Sequence, residues 1–387
     1  MTTRDPSSRP PIWRDVRVLK WLFQLGVFAV VAAILYWLLG NYQTNVAASG
    51  IPTSFDFLGN PTSFDIPGAD FSPAEPTRNA YVIGVLNTIR ISVVGIFFAT
   101  ILGVLVGIGR LSKNWVVNKL ATVYVEVIRN LPLLVIMTFI FLGVVLQAMP
   151  RIENSWTPLD LVVISNRGIG VPWYVETTGW ALVLVLFVGL LGWWLLARWR
   201  RSVSDKTGAP AHSGLYGGIF FILTLVVGWS VLGGQVTLPE VDGLQIAGGL
   251  RIDPSYFAVL VALVIYSASH IAEIVRGSIQ AVPIGQGEAA TALALSGNQR
   301  MWKVILPQAM RIAIPPIGNQ YLSLIKNSSL AAGFAYFEIT NVAAIAVGNG
   351  APAVPAFTLA LLVYVGLSLI TSALVNVANK RFELVER

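Results

Sequence analysis

The sequence predicts an all-α, polytopic membrane protein with about eight transmembrane helices. Three observations carry this. Charged residues make up 12% of the 387 and hydrophobic residues 55%, whereas a soluble domain is about 25% charged. Mean hydropathy is +0.70. The apolar residues come in continuous runs of about twenty, the length of a helix that crosses a bilayer. A backbone in lipid must satisfy its own hydrogen bonds, so only helices or a closed barrel can span. Continuous runs, rather than ten-residue alternation, select helices.

Eight runs follow in order, near 19–40, 82–109, 119–148, 179–197, 215–235, 254–280, 309–329 and 354–378. The first follows a basic N-terminus but exceeds the about 7–15 apolar residues of a secretory signal. It is expected to stay as an uncleaved helix, although Val46-Ala47-Ala48 is weakly cleavage-like. The 41–81 segment is rich in Pro, Gly, Ser, Thr and Asp and predicts an irregular loop with no core of its own. The 149–178 segment reads the same way, with Trp156, Trp173 and Tyr174 at the membrane interface. The fourth and fifth spans flank a basic tip, Arg198-Trp199-Arg200-Arg201. In the seventh, Pro315-Pro316 would free backbone carbonyls ahead of the polar cluster Lys326-Asn327-Ser328-Ser329.

Charge sets the orientation. With the N-terminus inside, 19 of the 26 basic residues fall on the cytoplasmic side, including Arg4, Arg9, Arg14, Arg110, Arg198, Arg300 and Arg387. The outer loops hold Arg78, Arg151, Arg167 and Arg251. Such a bias marks cytoplasmic loops and puts both termini in the cytoplasm. It also accounts for the net charge of +7 without a nucleic-acid partner. Zero cysteines exclude disulfides and thiolate metal sites, and two histidines, His212 and His270, make no metal centre. There is no G-x-x-x-x-G-K-[ST] phosphate loop and no catalytic constellation, so the chain is expected to be neither an enzyme nor a cofactor carrier.

Ionisable residues inside spans are functional candidates. Here they are Arg90, Glu126, Arg129, Glu273, Arg276 and Lys326. Glu126 with Arg129, and Glu273 with Arg276, have the i,i+3 spacing of pairs on one helix face. Each pair either locks its own helix or meets a second subunit or a conduction path. Arg90, close to Asn87, either snorkels outward or meets an anionic group.

A polar island at 283–308 interrupts the apolar pattern. Pro283 to Gly287 reads as a breaker, Glu288 to Leu295 as a short helix, and Ser296-Gly297-Asn298 as its stop. Glu288 would then lie in the first turn, and Gly297 in the left-handed position after the helix. Ala289, Ala290, Leu293 and Ala294 would form a small apolar face, and Pro307 the next break. So short a helix does not hold itself in water and needs a surface to dock on.

The island resembles the E-A-A…G…I-x-L-P loop of the permease subunits of ATP-binding-cassette importers. Glu288-Ala289-Ala290 is followed at the right spacing by Ala294, Val304 and Leu306-Pro307. Ala294 stands where that family usually has Gly, and Val304 where it has Ile. Four further stretches are similar to the polar-amino-acid importers. They are Y-V-E-V-I-R-N-L-P-L-L from Tyr124 to Leu134, I-A-E-I-V-R-G from Ile271 to Gly277, L-P-Q-A-M-R from Leu306 to Arg311, and K-N-S-S-L from Lys326 to Leu330.

The resemblance implies a type I importer permease in a bacterial inner membrane, with a five-helix core from spans two, three, six, seven and eight. Residues 1–81 would be an N-terminal arm, helix and outer loop. Residues 82–148 and 254–387 would carry the core, and 149–253 an insert like that of general L-amino-acid importers. Implied partners are an ATPase dimer carrying ATP and Mg, a second permease (a different chain or a second copy), an extracytoplasmic amino-acid-binding protein, the amino acid and lipid. The ATPase contact would be Gly287, Glu288, Ala289, Ala290, Ala294, Gly297, Arg300, Leu306 and Pro307. The substrate path would draw on Asn87, Arg90, Glu126, Arg129, Glu273, Lys326, Asn327 and Ser328. The competing expectations are an ion-coupled secondary transporter, with Glu126 and Glu273 as coupling groups, and a membrane-embedded enzyme.

Overall fold

The structure, a computed structural model, describes residues 15–50, 53–175, 179–207 and 212–382. Arg4, Arg9, Arg14 and Arg387, used above for orientation, lie outside the described residues. The chain is helical: α1 (Val16–Ser49), α2 (Thr77–Gly109), α3 (Trp115–Arg129), α4 (Leu133–Thr138), α5 (Gly179–Thr207), α6 (Ser213–Leu223), α7 (Trp229–Val231), α8 (Pro254–Gln280), α9 (Ile284–Ala292), α10 (Gly297–Arg300), α11 (Leu306–Asn327), α12 (Ile339–Gly348) and α13 (Ala353–Phe382). Among the described residues, seven helices are long and apolar enough to cross a membrane, and an eighth results if one bent pair counts as a span.

That bent pair corrects the expected continuous span at 119–148. Asn114 starts α3 by accepting from the amides of Val116 and Val117. Pro132 then bars helical geometry at Leu131. The chain restarts as α4, continues as a π-helix over Phe139–Ala148, and leaves α3 at 106°. The opposite correction applies to α11, which runs unbroken through Pro315 and Pro316. Its backbone tightens only at Ser328, into a 3-10 segment ending at Phe334.

The core is built on α2 and α8, which run parallel. Gly95, Ala99, Gly103 and Gly107 recur every fourth residue on one face of α2; Gly103 and Gly107 lie against the α8 backbone, and Gly95 against Leu324 of α11. A Cβ on Gly103 would lie 2.7 Å from Ile271 Cβ, and one on Gly107 2.8 Å from the Ala272 carbonyl oxygen. Ile91, Met137, Val259 and Leu263 are fully buried beside this contact. The 53–76 loop lacks its own core, as expected, yet is pinned: Phe57, Ile66 and Phe71 bury against Tyr81, Val342 and Ala356. α1 extends to Ser49, so the loop begins later than expected, and the helix is exposed along its length.

The expected irregular segment at 149–178 is ordered into strands over its described part, 149–175. β1 (Val163–Ser165), β2 (Gly168–Val171) and β7 (Leu250–Ile252) form one antiparallel sheet, with Ile169 opposite Ile252. β3 (Trp173–Tyr174) pairs with β4 (Val236–Thr237), and β5 (Glu240–Asp242) with β6 (Gln245–Ala247). The two ends of the insert are thereby stitched together next to the start of α8.

Candidate functional site

The island folds into α9 and α10, but in a different register from the one the sequence suggested. Pro283 precedes the helix rather than breaking it, so α9 starts at Ile284 and ends at Ala292. Glu288 sits mid-helix, and the expected first-turn dipole contact does not arise. The helix closes in a Schellman motif: Leu295 N donates to Ala290 O at 3.1 Å and Ala294 N to Thr291 O at 2.9 Å. The left-handed residue is therefore Ala294, at φ 55°, not Gly297. An L-residue there costs about 1 kcal/mol, which is a conformational reason for glycine at this position. Gly297 instead opens α10, where Ser296 and Gln299 form a capping box.

Only Ala290 of the expected apolar face is buried, at 2% exposure. Ile284 and Leu293 are 82% and 76% exposed, and Ala289 and Ala294 are exposed too. Arg300 Nη1 donates to Thr291 Oγ1 at 3.1 Å, tying α10 to α9. Gln308 Nε2 donates to Gln286 Oε1 at 3.3 Å, tying α11 to α9. A shallow recess beside them is lined by Ile284, Gly287, Glu288, Thr291, Ala292 and Arg300. Pro307 makes no break. Helical backbone runs from Gly297 through a π turn at Met301–Ile305 into α11 and past Leu306 and Pro307. The α9–α10 unit is thus a projecting ledge joined to a spanning helix.

An ion cluster lies at the C-terminal ends of α2, α3 and α8. Glu273 accepts from Arg110 and Arg276, and Arg129 stands 3.8 Å away. Glu126 pairs with Arg110 at 3.4 Å. The i,i+3 pair Glu273–Arg276 forms as expected; Glu126–Arg129 does not. Arg110, with a side chain 9% exposed, draws both carboxylates because a buried cation without partners is costly.

In the N-terminal half of α2, Asn87 and Arg90 line a cavity of about 280 Å³. Arg90 lies 4.8 Å over the Tyr256 ring, and Asp253 sits beside it, 3.3 Å from Arg251. Ile66 to Ala69 closes the cavity with a tight turn, in which Ala69 N donates to Ile66 O. Pro67 and Gly68 (φ 80°) suit its central positions. A Cβ at Gly68 would come 2.9 Å from Asp253 Oδ2, so a larger residue would displace that carboxylate. Asn87 Nδ2 donates to Phe337 O, and Tyr336 Oη donates to Asn87 O, fixing the back wall.

Arg90 and Arg110 are twenty residues apart on one helix, about 30 Å. The path candidates therefore do not converge. Asn87 and Arg90 lie at the cavity, and Glu126, Arg129 and Glu273 in the ion cluster. Lys326 is exposed and Asn327 half-buried. Ser328 is buried but donates to Ile325 O of its own helix at 2.7 Å. Sequence reasoning missed Asp253 and Glu338. Glu338 is fully buried, caps α12 through the amides of Thr340 and Asn341, and accepts from Tyr364 Oη at 2.6 Å. The available signal was an acid directly before an uninterrupted helix-forming run.

Burial pushes the Asp253 carboxyl above the usual carboxylate range, and Arg251 and Arg90 pull it partly back. A raised value in the folded state favours the protonated form, so its stabilising contribution is present at acid pH and lost as pH rises. Asp253→Asn is accordingly expected to raise the melting temperature of the detergent-solubilised chain near neutral pH. The gain should shrink as pH falls through the carboxylate range. An equal melting shift at pH 7.5 and pH 4 would contradict the assigned cause.

Comparison with known proteins follows the same lines. Residues 209–384 match the family described as binding-protein-dependent transport system inner membrane component. The chain is 36% identical, over 96% of its length, to the general L-amino acid transport system permease protein AapQ of Rhizobium johnstonii, covering 94% of that protein. It is 35% identical to the putative amino-acid ABC transporter permease protein YhdX of Escherichia coli, over 96% of this chain and 95% of that one. It is 32% identical, over 96% of each, to the glutamate/glutamine/aspartate/asparagine transport system permease protein BztB of Rhodobacter capsulatus. These relatives are transport permeases rather than enzymes. The chain, a multi-pass membrane protein, therefore belongs to the family of binding-protein-dependent inner membrane transport components, as an amino-acid ABC transporter permease.

Proposed function

We propose that this permease forms half of an import path for an amino acid and takes its energy from a separate ATPase that grips α9. The observation that carries this is the ledge itself. α9 exposes Ile284 and, at its C-cap, Leu293, buries only Ala290, and is joined through α10 to the continuous helix α11. Apolar side chains this exposed on a helix of nine residues call for a partner surface. ATP and Mg belong to that partner. A second permease, of different sequence as in general L-amino-acid importers, completes the path. Both termini and α9 face the cytoplasm of the bacterium. The β-sheets and the Arg90 cavity face outward, where a binding protein delivers the substrate. Arg90 and Asp253 supply the cation and anion that an amino acid's carboxylate and ammonium require.

The ion-coupled alternative needs a carboxylate that loads and releases a cation. Glu273 is held by three arginines and Glu126 by one, which weighs against it.

The absence of cysteine makes the test direct. Leu293→Cys in the full chain should react with a membrane-impermeant maleimide and become protected when the ATPase is assembled on it. Thr237→Cys, on β4, should react equally in both states. Equal labelling at position 293 with and without ATPase would remove α9 from the interface.

A further inference from the structure

We propose that the groove between α5 and α6 is a binding site for an anionic phospholipid. α5 and α6 pack chiefly on each other, and close approach at Gly192 and Gly217 sets Phe220 and Trp193 into the facing helix. Beside that seam lies a groove of about 440 Å³ lined by Leu196, Trp199, Arg200, Tyr216, Ile219 and Leu223, with Phe220 at its floor.

Its polarity runs along the helices. Arg200 and Tyr216 stand at the end nearest the connection between the helices, with the guanidinium 4.3 Å from the ring centroid. Ile219, Phe220 and Leu223 follow deeper on α6, and Leu196 deeper on α5. Tyr216 to Leu223 spans about 10 Å of helix. A cationic mouth above an apolar trough matches an amphiphile lying along the membrane normal, headgroup beside Arg200 and acyl chain below. Charge fixes the class of headgroup. Arg198, Arg201 and Lys206 neighbour Arg200 in sequence, and Asp205 is the single acidic residue in that stretch. Basic pockets between spanning helices favour anionic headgroups. Trp199, 59% exposed at the rim, has the amphipathic ring suited to headgroup depth. The site lies outside the ATPase ledge and the Arg90 cavity, so it stands apart from the coupling proposal.

Native mass spectrometry of the full chain, doped with equimolar phosphatidylglycerol and phosphatidylcholine, reads this directly. The wild type should retain phosphatidylglycerol in preference. Arg200→Gln should lower that preference about fivefold, the effect of one arginine at an anionic surface. Ile219→Trp, a lipid-facing change that fills the trough, should reduce retention of both lipids and serves as the second reading if Arg200→Gln misfolds. No preference in the wild type would overturn the proposal. So would wild-type retention in Ile219→Trp, the outcome expected if a helix of another chain occupies the groove.

Discussion

Glu288→Lys is expected to abolish ATP-driven uptake while leaving the chain folded in the membrane. Glu288 is exposed in the middle of α9, on the wall of the recess that also holds Arg300. Lysine and glutamate have similar helix propensities, and an exposed surface exchange shifts stability by only about 0.5 kcal/mol. The fold should therefore tolerate it. The interface should not. Reversal places a second cation beside Arg300 on a surface built with one charge of each sign. Mismatched charge across a protein interface costs several kcal/mol, so ATPase affinity should drop by about a hundredfold or more. The measurement is uptake of labelled amino acid into proteoliposomes loaded with ATP and ATPase, alongside the amount of chain recovered in the bilayer. ATPase turnover should lose its dependence on the permease. Normal uptake in the variant would sink the coupling role of α9. Loss of the chain from the membrane would instead assign Glu288 to folding.

The spans were legible because a bilayer imposes a length, and eight apolar runs of that length are written plainly in the chain. Direction and pairing are not written locally. Pro132 marks a place where α geometry is barred at the preceding residue, but the local signal is silent on whether the helix resumes in line or at 106°. Pro315 and Pro316 look like stronger breakers, yet packing of α11 on α8 and α13 holds the helix straight through them. Among the described residues the strands are two to four residues each. Their pairing joins Gly170 to Arg251, a long-range contact that no short window contains. In the ion cluster, spacing listed the candidates, but Arg110 decided the partners because its burial demanded them. At the island, chemistry was legible and register was not. Proline, two glycines and serine each have two readings, start or stop, and only the closing hydrogen bonds of α9 showed Ala294 to be the left-handed residue.

Gly103→Leu is expected to remove the folded chain altogether. On α2, positions 103 and 107 present only hydrogen to α8, and Ala99 only a methyl to Ile271 and Leu324. Lipid supplies no hydrophobic drive between helices, so this contact rests on close packing, which small residues permit. At Gly103 even a Cβ would stand 2.7 Å from both Cβ and Cγ2 of Ile271 and 3.0 Å from the Ala268 carbonyl oxygen. None of these is the end of a flexible side chain. The β-branched Cβ of Ile271 and a helical carbonyl stay where the α8 backbone puts them, so the helices themselves must separate. Overpacking a core that can adjust costs about 1–3 kcal/mol; a leucine against fixed backbone should exceed that range, by enough to unfold a protein at the lower end of the about 5–15 kcal/mol of ordinary stability. Helix propensity runs the other way, since leucine in place of glycine favours a helix by about 1 kcal/mol. The sign of the result therefore separates packing from propensity. Gly277→Leu on α8 is the control, because nothing lies within 4 Å of a Cβ there. Size-exclusion profiles after detergent extraction should show a monodisperse Gly277→Leu chain and an aggregated or absent Gly103→Leu chain. Equal recovery of the two would mean that α2 and α8 are held together by something other than their glycine face.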